Sequence, residues 1–507
     1  MSSSLLAIVF IAYTLVIFTV TWATSRRANN DTYFIGNRRS PWFVVAYGMI
    51  GASLSGVTFM SVPGNVQTQA FYYLPMVLGF FAGYIIIATV LLPLYYRMQL
   101  TSIYGYLERR FGFFTYKSGA SFFILSRTLG ATLRMFLVVS VLHTFILRQF
   151  GIPFWVAGLI FVLLIILYTF EGGIKTIVWT DTLQTTFMLL AVVYCIITIS
   201  KEMGWDFSEM VSQLSNSGYM KWLNTDWSSK THFLKQFLSG VFVCVAMTGL
   251  DQEMMQKNLS CRNLKDAQKN MFTFSSIIVV VNFLFLSLGA VLAIYVQQKG
   301  LQFSDTDLIF PTVALQHLGS VAGLVFIIGL ISAAYPSADG ALTSLTTSFC
   351  IDIVGLEKKT AWTEKKKKKV RYSIHLSFAL VFLLLIIFYN AVKNDAIINL
   401  VYTVASYTYG PLLGFFFFGI LTKYQVRDKY MPIIAIASPV LCFLLDLACT
   451  RYLAFGFGFT LLIVNGTLTY IGMYLCREKD KVRRCVFCAK LQKIIKLFLS
   501  LQNTIKV

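Results

Sequence analysis

The sequence is dominated by about thirteen apolar segments, most of them long enough to form a helix that crosses a bilayer. A membrane-spanning helix needs about 20 mostly apolar residues. The runs are continuous rather than alternating, which excludes an outer-membrane β-barrel. The sequence therefore predicts an all-α membrane protein with about 13 transmembrane helices. Their approximate bounds are 4–24, 41–65, 73–97, 117–148, 152–170, 176–200, 232–256, 270–297, 311–353, 371–393, 396–422, 430–450 and 453–476.

The charge distribution indicates a lipid partner and no nucleic acid. The net charge is +21, but only 13% of the 507 residues are charged and 57% are hydrophobic. Lysine and arginine are concentrated in short loops between the apolar segments and in the tail after residue 476. Basic residues in such places orient the spans and meet anionic headgroups. We therefore expect the lipid bilayer to be the main environment of this chain.

The basic loops alternate along the chain, and this alternation predicts the orientation of the protein. It gives an external N-terminus and a cytoplasmic C-terminus in a bacterial inner membrane. The first apolar run has no basic region before it and no cleavage site, so we interpret it as a retained helix. The orienting residues are Arg26, Arg27, Arg38, Arg39, Arg97, Arg109, Arg110, Lys117, Lys257, Arg262, Lys265, Lys269, Lys365 to Lys369, Lys423, Arg427 and Lys429.

Small and polar residues interrupt the second apolar segment. Gly51 to Thr58 contains two glycines, two serines and a threonine, and Pro63 and Gly64 follow. A broken helix is tolerated in a membrane only where it lines a cavity, and the break frees carbonyl oxygens that suit Na⁺. The alternative is close helix packing by small residues. The segment alone favours neither interpretation.

A second polar stretch runs from Ser332 to Gly340 inside the segment 311–353. Pro336 has no N–H, so the carbonyl of Ser332 loses its helical partner. Hydroxyls, a free carbonyl and the carboxylate of Asp339 within two turns form a candidate cation site. Serine and threonine can also bond to their own helix, but this does not explain Asp339.

Other ionisable residues lie inside or beside apolar segments, where they usually mark a pathway or binding site. Asp181 lies within the segment 176–200, and the polar run 248–257 ends the segment 232–256. Arg127 and Arg134 are seven residues apart and so share a helical face. Two arginines on one face indicate an anionic partner, although either could neutralise a protein carboxylate.

Enzymatic activity is not expected. The sequence has no HExxH, GxSxG, Walker A or GxGxxG motif in a suitable context. The four histidines, at positions 143, 232, 317 and 375, are dispersed and have no metal-ligand spacing.

Four motifs resemble the sodium:solute symporter family, in the order in which that family carries them. They are the stretch 168–184 with Gly172-Gly173 and Trp179-Thr180-Asp181, the element Asp251-Gln252…Gln256, the stretch 106–112, and the Ser/Thr-rich helix that ends at Asp352. The resemblance extends from about residue 30 to residue 476. It implies a LeuT-like core of two inverted five-helix repeats, and a symporter that works by alternating access.

The resemblance divides the chain into six parts. A core of two repeats would carry one extra helix before it and two after it. The parts are 1–40, an N-terminal helix and cytoplasmic loop; 41–200, the first repeat; 201–231, an external loop; 232–422, the second repeat; 423–476, two peripheral helices; and 477–507, a basic cytoplasmic tail.

By the same resemblance, a principal sodium site would lie where the first core helix breaks. Its ligands would be the carbonyls of Gly51, Leu54 and Ala333 and hydroxyls at positions 336 and 337. This chain departs from the pattern, because Pro336 leaves Ser337 as the single hydroxyl of the pair. The departure makes proton coupling the alternative to sodium coupling.

Some members of the family hold a second sodium through the aspartate that matches Asp181. The hydroxyls that assist there would match positions 336, 339 and 340, which in this chain are Pro336, Asp339 and Gly340. We therefore expect a chemically altered second site at Asp181 and Asp339. Asp339, or the freed carbonyl of Ser332, is the candidate to compensate for the missing hydroxyl at position 336.

The substrate site would lie beside the break. Members that transport sialic acid have an arginine in a context similar to that of Arg134, which suggests a carboxylate substrate. Cys244 and Met247 stand where sugar-transporting members place polar groups, so a neutral hexose is disfavoured. The expected solute is an organic anion or amino acid, carried by a monomer; a membrane sensor and a passive channel are the alternatives. The predicted contacts are Ser53, Ser55, Thr58 and Arg134.

Overall fold

A computed structural model describes residues 3–25, 38–169, 173–392, 397–453 and 455–482. Three features of the sequence lie outside these residues. They are Arg26 and Arg27, the segment 170–172 within the 168–184 motif, and the tail after residue 482.

The first half of the described chain is helical. Its helices are α1 (Ser3–Ser25), α2 (Trp42–Ser53), α3 (Gly56–Gln69), α4 (Leu74–Arg97, with a π-turn at Ile87–Leu91), α5 (Gly105–Arg110), α6 (Phe113–Phe145), α7 (Phe154–Thr169), α8 (Gly173–Glu202) and α9 (Phe207–Asn216).

The second half adds ten helices and two short strands within the described residues. These are α10 (Phe233–Gly249), α11 (Gln252–Leu259), α12 (Leu264–Gln298), α13 (Ile309–Thr312), α14 (Gly319–Val354), α15 (Glu364–Val392), α16 (Ile397–Thr408), α17 (Gly410–Leu421), β1 (Tyr424–Val426), α18 (Met431–Leu453), α19 (Leu461–Leu475) and β2 (Arg477–Val482).

The helices reproduce the predicted apolar segments. Eight helices of the described chain are long and apolar enough to cross a membrane, or up to 11 if each of three bent pairs is one span. The bent pairs are α2 with α3, at 57°, α10 with α11, at 65°, and α16 with α17, at 49°. The shorter apolar helices α1 and α7 account for the two remaining segments. The predicted all-α membrane fold is therefore confirmed.

Two of the three bends lie at small residues that interrupt predicted apolar segments, at positions 51–56 and 248–249. At the first of them the sequence left a break and close helix packing open. The third bend, between α16 and α17, was not indicated by the sequence. Pro411 is at the start of α17 and cannot donate to the carbonyl of Tyr407. The amide of Asn465 on α19 donates to this carbonyl over 2.8 Å and to that of Ser406 over 3.0 Å. A distant side chain thus satisfies the broken turn.

The described residues depart from an all-helical fold at one small sheet. β1 and β2 pair antiparallel, with Gln425 opposite Glu478 and Val426 opposite Arg477. Both strands follow the ends of helices α17 and α19, which pack against each other. The sheet forms because the two segments that follow α17 and α19 leave this helix pair on the same side.

Close glycine contacts join α4 to α10, one of the most extensive helix pairs in the structure. Gly79 of α4 and Gly240 of α10 face each other, and a Cβ on Gly240 would lie 3.0 Å from the Cα of Gly79. The same Cβ would meet the carbonyl of Met76. Small residues allow such close approach of helices within membranes.

We expect Gly240→Ala to destabilise the protein by about 1–3 kcal/mol, because the new methyl group meets backbone atoms that cannot move aside. Gly130→Ala in α6 is the matched control, since a Cβ there meets nothing within 4 Å. The measurement is the midpoint of thermal unfolding in detergent. Equal midpoints for the two variants would contradict the assigned helix contact.

Candidate solute and ion site

The break between α2 and α3 exposes backbone carbonyls in the interior. The last turn of α2 closes with the bond from Leu54 N to Ile50 O, 2.8 Å, and α3 opens with that from Phe59 N to Ser55 O, 3.0 Å. Between these two bonds, no described backbone N–H reaches the carbonyls of Gly51 or Leu54 from the residues four positions later. The carbonyls of Gly51 and Leu54 therefore lack their usual helical donors among the described residues.

A cavity of about 80 Å³ lies beside this break. Three predicted substrate contacts line it, namely Ser53, Thr58 and Arg134, together with Leu54 of the predicted sodium site. Ser55 does not line it: it is buried and precedes α3 as its N-cap residue. The other residues around the cavity are Ala52, Tyr73, Phe80, Tyr84, Arg127, Val243, Cys244, Met247, Thr248, Met254, Ile278, Asn282 and Tyr402.

The two arginines of α6 have different surroundings. Arg127 forms a buried ion pair with Glu253, and its Nη1 lies 3.7 Å from Oδ2 of Asp251. Arg134 also borders the cavity, but its guanidinium has no carboxylate within 4 Å among the described residues. It also donates no hydrogen bond to any of them. Among the described residues, Arg127 therefore pairs with protein carboxylates, whereas Arg134 borders the cavity without such a partner.

Behind the cavity, the charged side chains of α6, α8 and α11 form one buried network. Nζ of Lys257 lies 2.7 Å from Oδ2 of Asp181 and 3.5 Å from Oε1 of Glu253. Asp251 caps α11 by accepting from the backbone N–H of Glu253, 2.9 Å, and its other oxygen accepts from Tyr409, 2.6 Å. We call Arg127, Asp181, Asp251, Glu253 and Lys257 the charge network.

The predicted ligands on α14 lie on a helix that continues through Pro336 and packs against both α2 and α3. Ala333 and Asp339 are fully buried, and the hydroxyl of Ser337 donates to the carbonyl of Ala334 over 3.0 Å. The hydroxyl of Ser332 lies within 2.6 Å of both Tyr13 of α1 and the carbonyl of Ile328.

Different contacts close the cavity on its two sides. On the side of loop 201–231, a hydrogen bond of 2.9 Å between the hydroxyls of Tyr73 and Tyr402 separates it from a second, smaller cavity. On the opposite side, Gln252 bonds the backbone of Thr101 and Ile103. Further contacts on that side come from Tyr95 to Gly249, Tyr104 to Leu250, and Ser102, Tyr116 and Ser348 to Asp352.

Sequence reasoning missed the partners that complete the site. Lys257 was treated as an orienting residue at a helix end, whereas it is buried against Asp181, 76 positions earlier in the chain. The one available signal was the spacing of Glu253 and Lys257, which places both on one face of a helix. Tyr73 and Tyr402 carried no signal, because tyrosines are frequent throughout this sequence.

Comparisons with known proteins agree with this architecture. The sequence model of the sodium:solute symporter family matches residues 33–427. A sodium/sialic acid symporter of Proteus mirabilis is 24% identical over 79% of this chain and 81% of its own length. A second one, of Aliivibrio fischeri, is 27% identical over 67% and 68%, respectively.

Among solved structures, that of a Na⁺-coupled sialic acid symporter in a substrate-bound outward-open state superposes with a TM-score of 0.80. It is 21% identical in sequence, and the match covers 93% of this chain and 97% of that one. This similarity shows the fold, which is that of the LeuT-like transporters. Since the family model covers most of the sequence, the chain belongs to the sodium:solute symporter family.

Proposed function

We propose that this chain imports a small carboxylate-bearing solute together with sodium across the plasma membrane. Sodium-coupled symport is the activity of the family to which it belongs. The observation that carries the substrate class is the position of Arg134 at the cavity, without a protein carboxylate among the described residues. No covalent chemistry is needed.

A guanidinium removed from water requires a hydrogen-bonding or anionic partner, because burying an unpaired charge is very unfavourable. Arg127, two turns earlier on the same helix, has its partners in Glu253 and Asp251. A substrate carboxylate would supply the corresponding partner for Arg134, in the bidentate geometry that arginine favours. The hydroxyls of Ser53 and Thr58 border the same space and would accept or donate to polar groups of the solute.

The free carbonyls of Gly51 and Leu54 support a sodium ion at the break, since small hard cations take oxygen ligands. Ala333 and Ser337, on the helix packed beside the break, would complete the ligand set with a carbonyl and a hydroxyl. Pro336 cannot supply a hydroxyl, and the buried Asp339 remains the candidate that compensates for it. Proton coupling is the alternative that such a departure favours.

The orientation and the division of the chain are part of the same proposal. We place the N-terminus outside, the C-terminus in the cytoplasm, and a monomer in a bacterial inner membrane. The two repeats span 41–200 and 232–422, with an external loop at 201–231, an N-terminal helix in 1–40, two peripheral helices in 423–476 and a basic tail from 477 to 507. The bent pairs near the start of each repeat support this division.

The size of the cavity supports transport by alternating access. Its volume of about 80 Å³ is well below the roughly 300–1,000 Å³ of ligand pockets. The tyrosine pair and the opposite barrier close it on two sides, so solute can enter only when one of them opens. Sodium drives the cycle if it binds one conformation better than the other.

The first test is uptake into proteoliposomes that contain the purified full-length chain. The panel holds labelled sialic acid, a short monocarboxylate, an amino acid, glucose and choline. We expect accumulation of a carboxylate only with an inward sodium gradient. Accumulation of glucose or choline would contradict the substrate class, and sodium-independent accumulation driven by a pH gradient would contradict sodium coupling.

Arg134→Ala should raise the solute KM about 10- to 100-fold, because it removes charge-assisted hydrogen bonds worth about 1.5–3 kcal/mol. Arg134→Lys keeps the charge but loses the bidentate geometry, so its KM should lie between that of Arg134→Ala and that of the wild type. The measurement is the initial rate of uptake against solute concentration. An unchanged KM in Arg134→Ala would show that this guanidinium does not contact the solute.

Ser337→Ala should weaken the sodium dependence of uptake about 2- to 10-fold, because one oxygen ligand worth about 0.5–1.5 kcal/mol is lost. Ser344→Ala is the matched control. Ser344 lies two turns later on α14, is also buried, and donates to the carbonyl three residues earlier over the same 3.0 Å. Equal sodium dependence in the two variants would remove Ser337 from the ligand set.

Cys244 offers a native reporter of cavity opening, because its thiol is buried at the cavity wall. Tyr402→Phe removes the hydrogen bond to Tyr73 and should increase labelling of Cys244 by a membrane-impermeant thiol reagent applied from outside. Peptide mass spectrometry assigns the labelled cysteine. Buried Cys195 is the internal control, since it does not line the cavity and its labelling should not change. Equal labelling of Cys244 in both proteins would mean that the tyrosine pair is not the outer barrier.

A further inference from the structure

The ammonium group of Lys257 lies between carboxylates from two helices. It is 2.7 Å from Asp181 of α8 and 3.5 Å from Glu253 of α11. All three side chains are at most 1% exposed. The second oxygen of Asp181, Oδ1, accepts no hydrogen bond from the described residues. Lys257 is therefore the cation that compensates the charge of Asp181.

The neighbouring helix α14 contacts the charge network through a glycine, Gly340, which has no side chain. A Cβ on Gly340 would lie 2.5 Å from Cδ and 3.1 Å from Cγ of Glu253. Glu253 thus occupies the space that a serine or threonine at position 340 would need. Pro336, one turn earlier, likewise has no hydroxyl. Neutral oxygen ligands are missing at these two positions, and a carboxylate paired with Lys257 is present beside one of them.

We propose that the ammonium of Lys257 takes the place of a second sodium at Asp181, so that this chain binds one sodium ion per cycle. The inference rests on the proposed sodium-coupled function and specifies its stoichiometry. A sodium ion on Asp181 would sit within a few ångströms of the ammonium, in an interior where like charges repel strongly. The lysine stem is flexible and attaches the ammonium covalently, so this group cannot leave the site with the solute as a sodium ion does. The single sodium then binds at the break between α2 and α3.

The charge balance of the network indicates what the removal of Lys257 would do. Arg127 and Lys257 face the three carboxylates of Asp181, Asp251 and Glu253. Without the ammonium, Asp181 and Glu253 would keep oxygen atoms directed at a space that held a cation. Buried carboxylates without a counter-ion bind a cation or a proton. Lys257→Gln should therefore create a second sodium site.

The test counts sodium ions on the purified full-length protein in detergent, by equilibrium binding of ²²Na⁺. We expect one ion per wild-type molecule and a sodium Hill coefficient near 1. Lys257→Gln should bind two ions, with a Hill coefficient that rises above 1. Lys257→Arg, which keeps the tethered charge, should bind one. The double variant Asp181→Asn/Lys257→Gln should also bind one, because the carboxylate that holds the second ion is gone.

Each other result has a separate meaning. Two ions on the wild-type protein would overturn the inference while leaving sodium coupling intact. One ion on folded Lys257→Gln would also overturn it, because Lys257 would then not be what excludes the second ion. No sodium on the wild type would contradict the proposed function itself, and the inference with it. If Lys257→Gln elutes as an aggregate from size-exclusion chromatography, the numbers of sodium ions bound by the wild type and by Lys257→Arg test the inference instead. Two ions on either protein would overturn it.

Discussion

A helix can break inside a bilayer only where other polar groups or a bound ligand meet the backbone groups that the break frees. This chain contains two solutions to that constraint. Between α16 and α17, Asn465 donates to the freed carbonyl of Tyr407, and the break is sealed by protein. Between α2 and α3, the carbonyls of Gly51 and Leu54 receive no such donor from the described backbone, and a cavity lies beside them. The bend between α16 and α17 is therefore structural, whereas the one between α2 and α3 has room for an ion.

The buried charges are subject to the same constraint as the freed backbone groups, since each of them needs a partner. Transfer of an isolated charge into a low-dielectric interior is very unfavourable, so each buried ion must have a partner. Within the protein, Arg127 and Lys257 have their partners in the carboxylates of Asp181, Asp251 and Glu253. Arg134, on the same helix and two turns away, faces the cavity instead. In the proposed function its partner is the carboxylate of the solute, which would link substrate recognition to the neutralisation of this charge.

Local sequence chemistry was sufficient to predict the spans and to mark the positions of two of the three breaks. Hydropathy identifies a helix of about 20 apolar residues because the signal is contained in the segment itself. The glycines at 51 and 56 and the pair at 248 and 249 are equally local. The break at Gly410 was missed because a glycine followed by proline also starts ordinary helices. Asn465, which donates to the freed carbonyl of Tyr407, lies 58 residues further along the chain than Tyr407.

The site was predicted in its parts but not in its connections. Asp181, Arg134, Ser53 and Thr58 could be singled out because polar groups are rare in apolar runs. The contact of Asp181 with Lys257 could not, since it depends on how α8 and α11 pack, and no periodicity in either segment encodes that packing. The same is true of Tyr73 and Tyr402, which meet across 329 positions.

The barriers on the two sides of the cavity differ in kind. On the side of loop 201–231, the tyrosine pair is joined by Asp307, which accepts from Ser61 of α3 and from the backbone N–H of Ile397 of α16. The opposite side also holds several hydrogen bonds, and it adjoins the charge network, whose ions cannot separate without new partners. The proposed sodium at the break and the proposed carboxylate on Arg134 would bind between these two barriers. Because a ligand shifts a conformational equilibrium only by binding one state better than the other, each of them would have to favour one closed side to drive the cycle.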